Sequence, residues 1–472
     1  MKRAVTSLST LQRSSRTGAA RFSTSIRAQS GPSTRYTAAT HAPSAPSPSV
    51  RDTLATGEKY LLPVYARPQF VLSHGKGSKV WDTDGRCYVD FSAGIAVNAL
   101  GHGDEEFVKV ISEQTSKLLH TSNVFHNEWA PRLAELLVEL TRREGGLGLS
   151  DPSVGAKAFF ANSGTEANEG ALKIARKVGK ERWAAKTGRS WEDGGCTKTR
   201  IACFEQGFHG RSMGALSVTT NPKYQKPFAP LIPGVDVGKL NDVAGLEGLI
   251  GEDTCAVIVE PIQGEGGINA ASEEWLRALR KRCDDVGAVL IYDEIQCGLY
   301  RTGSLWAHSK LPLDCQPDVV TMAKPLANGY PIGAVLMRDS VAEVMTAGTH
   351  GTTFGGSPLA CALGYHVLSR LSGENIAKQV QETSTYLVKR LQKLPGYFPN
   401  VLQPEIRGRG LILGLGFKDP AHPGKVVEMA RERGVFVLTA GKDAVRLVPS
   451  LNIPREDVDF AVDVLESVLG QL

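Results

Sequence analysis

Short apolar runs punctuate the middle of the chain. Residues 158–161, 200–204, 254–260, 288–292, 319–323 and 333–337 are mostly uncharged and lack the alternation of a strand with one wet face. They read as strands buried on both sides of a largely parallel sheet. Between them the spacing turns helical: after Ser163-Gly164-Thr165, the residues Ala167, Ala171, Leu172, Ile174, Ala175 and Val178 recur on one face of a long helix. Strands alternating with helices predict an α/β layer structure. Upstream, Val80-Trp81, the Asp84-Gly85 turn and residues 87–91 spell a hairpin, and helical spacing follows at 104–119 and 128–141. Beyond residue 365 the pattern changes to an amphipathic stretch at 377–394, strands at 411–416 and 435–438 and a last helix at 455–469, which predicts a smaller α+β domain. Since 472 residues exceed one small core, we expect a leader and linker at 1–50, a first part of the smaller domain at 51–125, a large domain at 126–365 and the rest of the smaller domain at 366–472.

The strand ends concentrate the chemistry. The run at 288–292 delivers Asp293 and Glu294 to its carboxyl end, and the run at 319–323 is followed by Lys324. Open α/β sheets place their ligands at such ends. An amine that holds pyridoxal phosphate, with a carboxylate that keeps the pyridine nitrogen protonated, is the pair that cofactor needs; a surface lysine beside a strand-end acid has the same spelling. Ser163-Gly164-Thr165 opens a helix whose free N–H groups and dipole suit a phosphate, or caps it in the ordinary way with Glu166 in the first turn. Thr352 and Thr353 precede two glycines and a helix, a second place for an anion. Phe208 could stack on a flat ring and Arg211 receive a carboxylate, as readily as they could be a core aromatic and a surface cation. Glu260 and Glu265 flank the next strand exit, Arg407 lies on the turn IRGRG, and Asn123, Phe125 and Asn127 line a pocket or merely connect two helices.

Charge separates the N-terminus from the rest. The formal charge of +5 includes seven basic side chains and no acid within residues 1–50, so the remainder carries 47 basic against 49 acidic residues. That balance gives no electrostatic case for nucleic acid. A leader rich in Arg, Ser, Thr and Ala, with Arg21-Phe22-Ser23 as a processing neighbourhood, has the makeup of a mitochondrial transit peptide addressed to the matrix. APSAPSPS (residues 42–49) then reads as a disordered linker. No apolar run approaches a membrane span. The eight cysteines show no C-x-x-C and no Cys/His cluster, so neither a metal site nor a disulfide scaffold is indicated.

SGTEANE, GFHGRSMGALS, VEPIQGEGG, YDEIQCGLYRTG, AKPLANGYPIGA and HGTTFGG occur in an order and spacing that resemble the class III pyridoxal-phosphate-dependent aminotransferases of fold type I, from about Tyr60 to the C-terminus. AVNALGHG, NPKYQKPFAPLIPG and HGTTFGGSPLACA are most similar to members acting on N2-acetylornithine, with members acting on ornithine next and 4-aminobutyrate as a further ω-amino substrate. The resemblance implies a large domain with a mostly parallel seven-stranded sheet, pyridoxal 5'-phosphate as cofactor, and a homodimer with shared active sites. The implied reaction moves the ω-amino group of N2-acetyl-L-ornithine to 2-oxoglutarate, giving N-acetyl-L-glutamate 5-semialdehyde and L-glutamate in arginine biosynthesis.

It also implies roles. Lys324 would hold the cofactor, Asp293 would partner the ring nitrogen, and Gln296 would donate to the ring hydroxyl. Ser163, Gly164 and Thr165 would bind the phosphate, with Thr353 reaching over from the neighbouring subunit. Phe208 would stack on the ring beside Glu260. Arg211, Glu265, Thr352 and Arg407 would handle substrate, Glu265 masking Arg407 until an α-carboxylate arrives. The chain departs from the family where Ala327 and Asn328 replace glycines and Pro325 replaces an alanine, which implies a stiffer loop beside the cofactor.

Overall fold

The structure, a computed structural model, describes residues 31–42 and 46–472. Its centre is a seven-stranded sheet of β1 (Ala156–Ala161), β2 (Arg200–Phe204), β3 (Val235–Gly238), β4 (Thr254–Val259), β5 (Val289–Asp293), β6 (Val319–Met322) and β7 (Gly333–Arg338), ordered β1-β7-β6-β5-β4-β2-β3. All neighbours are parallel except β7, which runs antiparallel to both β1 and β6. The apolar runs are uniform because both faces are covered. Val289 and Ile291 of β5 pack with Ala167, Ala171 and Val178 of α1 (Gly164–Thr187), while Leu290 and Tyr292 meet Trp275, Leu276 and Leu279 of α2 (Glu273–Val286). Each such aliphatic side chain contributes about 1.5–3 kcal/mol on burial. Burial therefore fixes the strands and leaves their carboxyl ends free to carry polar groups. β3 escaped the sequence reading, since an edge strand of four half-exposed residues with Asp236 in it has no apolar run.

Register brings the key residues to one edge. Asp293 stands opposite Thr321 across the parallel β5–β6 pair, and Lys324 comes three residues after Thr321. Both therefore leave the sheet at the same end.

The expected hairpin forms from Lys79–Asp82 and Cys87–Asp90. The returning strand Val435–Phe436 joins it in parallel, so the N-terminal segment shares a sheet with the C-terminal region. A second antiparallel sheet contains Leu402–Arg409, Ile412–Phe417, Ala444–Leu447 and Leu438–Ala440. Arg407 lies within its first strand rather than on a turn.

The part of the expected leader that precedes the linker is docked on the body of the chain. The Ser33 N–H donates to Glu466 (2.6 Å), the His41 N–H donates to the Glu432 carbonyl (2.8 Å), and Arg433 donates to the carbonyls of Tyr36 and Thr37. These bonds use backbone groups, which composition does not reveal. The helix Pro48–Tyr60 begins inside APSAPSPS with Pro48 at its first position, where a missing N–H is harmless. The processing neighbourhood at Arg21 lies outside the described residues. No helix among the described residues is long and apolar enough to cross a membrane.

Candidate active site

Lys324 begins a 3-10 turn, Lys324–Ala327, directly past β6. Its amine makes no hydrogen bond or ion pair with any described residue. Burial and the nearby positive charge of Arg446 lower it to about 8, against the opposing pull of Glu260, Asp293 and Glu265. A half-buried, unpartnered amine with a lowered proton affinity is suited to react with an aldehyde. The departures from the family around it are accommodated: Asn328 takes the left-handed conformation (φ 44°) that a glycine would adopt freely. It is held there by accepting from the Leu100 N–H (2.8 Å) and donating to the Gly101 carbonyl (3.1 Å).

Asp293 is almost fully buried at the end of β5. One carboxylate oxygen accepts from the Ile295 N–H (3.0 Å). The other meets Asn168 Nδ2 (2.7 Å) and His209 Nδ1 (2.8 Å). Asn168 in turn accepts from the Thr321 hydroxyl (2.7 Å) and donates to the His209 carbonyl (2.7 Å). Three elements thus orient one acid. The sequence reading missed Asn168, His209 and Thr321; the available signal was an asparagine beside Ala167 and Ala171 on the apolar face of α1. Glu294, which leaves the same strand end, is no part of this hollow. It turns into the interior, where His308 Nδ1 (2.6 Å) and the N–H groups of Ala307 and His308 satisfy it.

Ser163 caps α1 by accepting from the Glu166 N–H (3.3 Å), so the capping reading of that serine holds in the structure. The first N–H groups, at Gly164 and Thr165, have no intrahelical acceptor and suit an anion. Gly164 also sits tightly against Ile295, whose side chain would have to shift for a Cβ there, 2.8 Å away. The Thr165 hydroxyl bonds Ser212 (2.7 Å) and accepts from the N–H groups of Arg211 and Ser212, folding the 210–212 loop over the helix start. Gly210, at φ 136°, is the only residue type that fits there, since a Cβ would strike Thr165. Thr352 accepts from Asn162 (3.0 Å), beside this helix start, and Asn123 clips the same loop through the carbonyls of Thr352 and Gly355. Asn127 bonds Gly356 and caps the helix Trp129–Glu144, so these two asparagines connect rather than line the hollow. Thr353 and Phe125 are exposed.

Glu260 is buried with one oxygen on the Phe208 N–H and the other on the Gly264 N–H (both 2.9 Å). Burial pushes its carboxyl up to about 7, the charge of His209 opposing. Gln296 accepts from Arg446 through its side-chain oxygen (2.8 Å), and the same guanidinium donates to Glu265 (2.9 Å). This corrects the expected pairing: Glu265 pairs with Arg446, not Arg407. Arg407 is engaged by Asp443 (2.6 Å), by Gln403 (2.7 Å) and by the Gly267 carbonyl (2.9 Å). Arg446 sits in the strand Ala444–Leu447, only 2% exposed, and its Nε has no partner among the described residues. A cation inside the apolar run AVRLV was the signal for it, because a buried charge requires a partner. Arg211 is exposed and has no carboxylate partner among the described residues; its guanidinium lies 4.4 Å from the Tyr224 ring.

These groups fit pyridoxal phosphate. They offer a half-buried amine without a partner among the described residues, an oriented carboxylate on the adjacent strand, free N–H groups at a helix start and an aromatic, Phe208, beside Glu260. Residues 63–469 match the family model for aminotransferase class-III. The mitochondrial acetylornithine aminotransferase of Yarrowia lipolytica is 51% identical over 417 residues, covering 88% of this chain and 95% of that protein. Among solved structures, an N-acetylornithine aminotransferase from Stenotrophomonas maltophilia K279a aligns with a TM-score of 0.71 at 36% identity, covering 89% of this chain and 98% of that one. The ornithine aminotransferase of Toxoplasma gondii ME49 aligns at 0.79 and 32% identity, covering 89% and 95%.

Proposed function

Because the chain belongs to the class-III aminotransferases, we propose that it moves the ω-amino group of N2-acetyl-L-ornithine to 2-oxoglutarate, giving N-acetyl-L-glutamate 5-semialdehyde and L-glutamate, a step of arginine biosynthesis. Bound pyridoxal phosphate supplies an aldehyde that accepts the amino group and a ring that draws electrons from the reacting carbon. Lys324 would hold the cofactor between turnovers, and its amine, already near neutrality, would carry the proton between donor and acceptor carbons. Asp293, fixed by Asn168 and His209, would keep the ring nitrogen protonated. Gly164, Thr165 and the Ser163 turn would bind the phosphate, Gln296 the ring hydroxyl, and Phe208 would cover a ring face.

The single observation that carries the substrate reading is the different state of two arginines. Deep in the hollow, Arg446 is masked by Glu265; at its rim, Arg211 has no carboxylate on it. A donor whose amine is far from its carboxylate can place the amine at Lys324 and the carboxylate on Arg211 while the mask stays closed. 2-Oxoglutarate, with its carboxylate adjacent to the reacting carbon, needs Glu265 to move aside and expose Arg446. The names of relatives, including the Yarrowia lipolytica protein, support the acetylated donor and a mitochondrial location. The basic, acid-free leader supports import into the matrix. Exposed Thr353, with exposed Phe125 and Phe354 near it in sequence or across the 120–125 and 350–356 loops, supports a homodimer in which Thr353 completes the neighbouring phosphate site.

The test is turnover of cofactor-loaded protein with N2-acetylornithine, ornithine and 4-aminobutyrate at fixed 2-oxoglutarate. The acetylated donor should have the highest kcat/KM, and double-reciprocal plots should be parallel. A preference for free ornithine, as the likeness to the Toxoplasma gondii enzyme would favour, replaces the substrate reading. Converging lines overturn the shuttle itself.

A further inference from the structure

The stretch NPKYQKPFAPLIPG contains a side chain to which the scheme above gives no task. Tyr224 lies in the short helix Pro222–Gln225, started by Asn221, which accepts from the Lys223 N–H (3.0 Å). Gln225 moors that turn to the body of the molecule through the carbonyls of Leu216 and Ser217 (3.1 and 3.3 Å). The phenol is half-buried and touches three groups of the site at once. Its ring stands edge-on to Phe208, with centroids 5.9 Å apart and planes at 80°. Its face carries the Arg211 guanidinium at 4.4 Å. Its hydroxyl donates to one oxygen of Glu265 (3.3 Å), whose other oxygen accepts from Arg446 (2.9 Å).

We propose that Tyr224 is a positioning residue that ties the donor-carboxylate arginine, Arg211, to the closed position of Glu265, and so biases the pocket toward donors whose amine is remote from their carboxylate. This rests on the reading of Arg211, Glu265 and Arg446 given above. In the closed position Glu265 has two donors, Arg446 and the Tyr224 hydroxyl, and it gives up both when it swings off Arg446. The phenol hydrogen bond therefore favours the masked state, and the ring, by stacking under Arg211, holds that guanidinium toward the rim. Burial and the negative charge of Glu265 raise the phenol above its ordinary range, so the hydroxyl stays a donor throughout the working pH range.

The two functions of the phenol separate by substitution. Tyr224→Phe keeps the ring and removes the tie; Tyr224→Leu removes both. Half-reactions are followed by the absorbance of the bound cofactor, with N2-acetylornithine as the ω-amine donor and L-glutamate as the α-amine donor. A hydrogen bond to a charged group is worth roughly a tenfold change in the masking equilibrium. Tyr224→Phe should therefore lower the ratio of kcat/KM for acetylornithine over glutamate by about 3–10-fold, chiefly by improving glutamate, with KM for acetylornithine within about twofold of wild type. Tyr224→Leu should in addition raise KM for acetylornithine by about 5-fold or more through the loss of the cation–π contact. If Tyr224→Phe leaves the ratio unchanged, or slows both donors equally as a packing defect would, the tie is wrong. If wild type does not use acetylornithine, the substrate reading fails by itself, and the ratio measured with its preferred ω-amine donor still decides the role of Tyr224.

Discussion

Replacing Arg446 separates the two arginines that sequence and structure rank differently. Arg446→Leu removes a guanidinium that is 2% exposed and donates to Glu265 and Gln296. Leucine fills most of the aliphatic stem, so the main loss is a fixed cation in a desolvated place. Truncating one partner of a buried, hydrogen-bonded charge pair costs about 2–5 kcal/mol, and each 1.4 kcal/mol is about tenfold. The half-reaction with 2-oxoglutarate should thus lose about 30- to 4,000-fold in kcat/KM. The half-reaction with the ω-amine donor, for which this cation is masked, should stay within about tenfold. Arg407→Leu breaks a partly exposed pair with Asp443, side chains 19% and 33% accessible, which solvent screening holds to about 1 kcal/mol. Both half-reactions should then change less than about tenfold. Stopped-flow absorbance of the loaded protein measures each half-reaction alone, and thermal melting of both variants checks that the fold survives. A large 2-oxoglutarate defect in Arg407→Leu, together with near-normal behaviour of Arg446→Leu, would refute the reassignment.

Three further expectations concern the framework. Since burial lowers the Lys324 amine from 10.5 to about 8, the unfolded chain binds more protons than the folded one between those values. Stability of the cofactor-free protein should therefore rise with pH across that window, and Lys324→Met should flatten the rise in denaturant titrations; parallel curves for the two proteins would contradict the lowered amine. Asn168→Ala leaves Asp293 and the Thr321 hydroxyl each short of a partner, a loss of about 1–3 kcal/mol. It should slow both half-reactions alike, roughly 5- to 150-fold, because Asp293 serves both; a defect with one substrate only would remove Asn168 from that role. Deleting residues 1–42 should lower the melting temperature relative to deleting 1–30, because Ser33, Tyr36, Thr37 and His41 supply five hydrogen bonds to the rest of the chain, worth about 1 kcal/mol each. Equal melting temperatures would show that the docked segment adds nothing.

How much the sequence revealed depended on whether the signal was local. The strands β1, β2, β4, β5, β6 and β7 were legible because burial on both faces writes an uninterrupted apolar run, and Lys324 and Asp293 were legible because they end two such runs. The last helix, Arg455–Leu469, matched its periodicity to the residue. β3 was hidden by its exposure, and the docking of residues 33–41 by its use of backbone groups. The pairing of Glu265 was hidden for another reason. Arg407 and Arg446 lie on the two strands that flank Ile412–Phe417, and both have Gly414 as their cross-strand partner. Two arginines flanking the same glycine cannot be ranked by spacing along the chain; only their partners in space rank them. Asp443, three residues before Arg446 and part of no motif, neutralises Arg407 and leaves Arg446 to Glu265.

The distribution of these groups over the fold explains how one scaffold can serve different donors. Asp293 ends β5 and Lys324 directly follows β6, so the pair that would serve the cofactor ring is anchored by strands whose burial on both faces leaves little freedom. The groups that would choose the substrate come from elsewhere: Arg446 from the C-terminal antiparallel sheet, Glu265 from the loop after β4, Arg211 from the loop after β2 and Tyr224 from the short helix beyond it. The Arg446 guanidinium reaches across to Gln296 and Glu265, so a polar contact joins the C-terminal sheet to the cofactor hollow. A small displacement of that sheet would alter the mask without moving Lys324 or Asp293. On the proposed roles, selectivity would be set where loops and a neighbouring sheet can change it, and the pair that would move the proton is placed where they cannot.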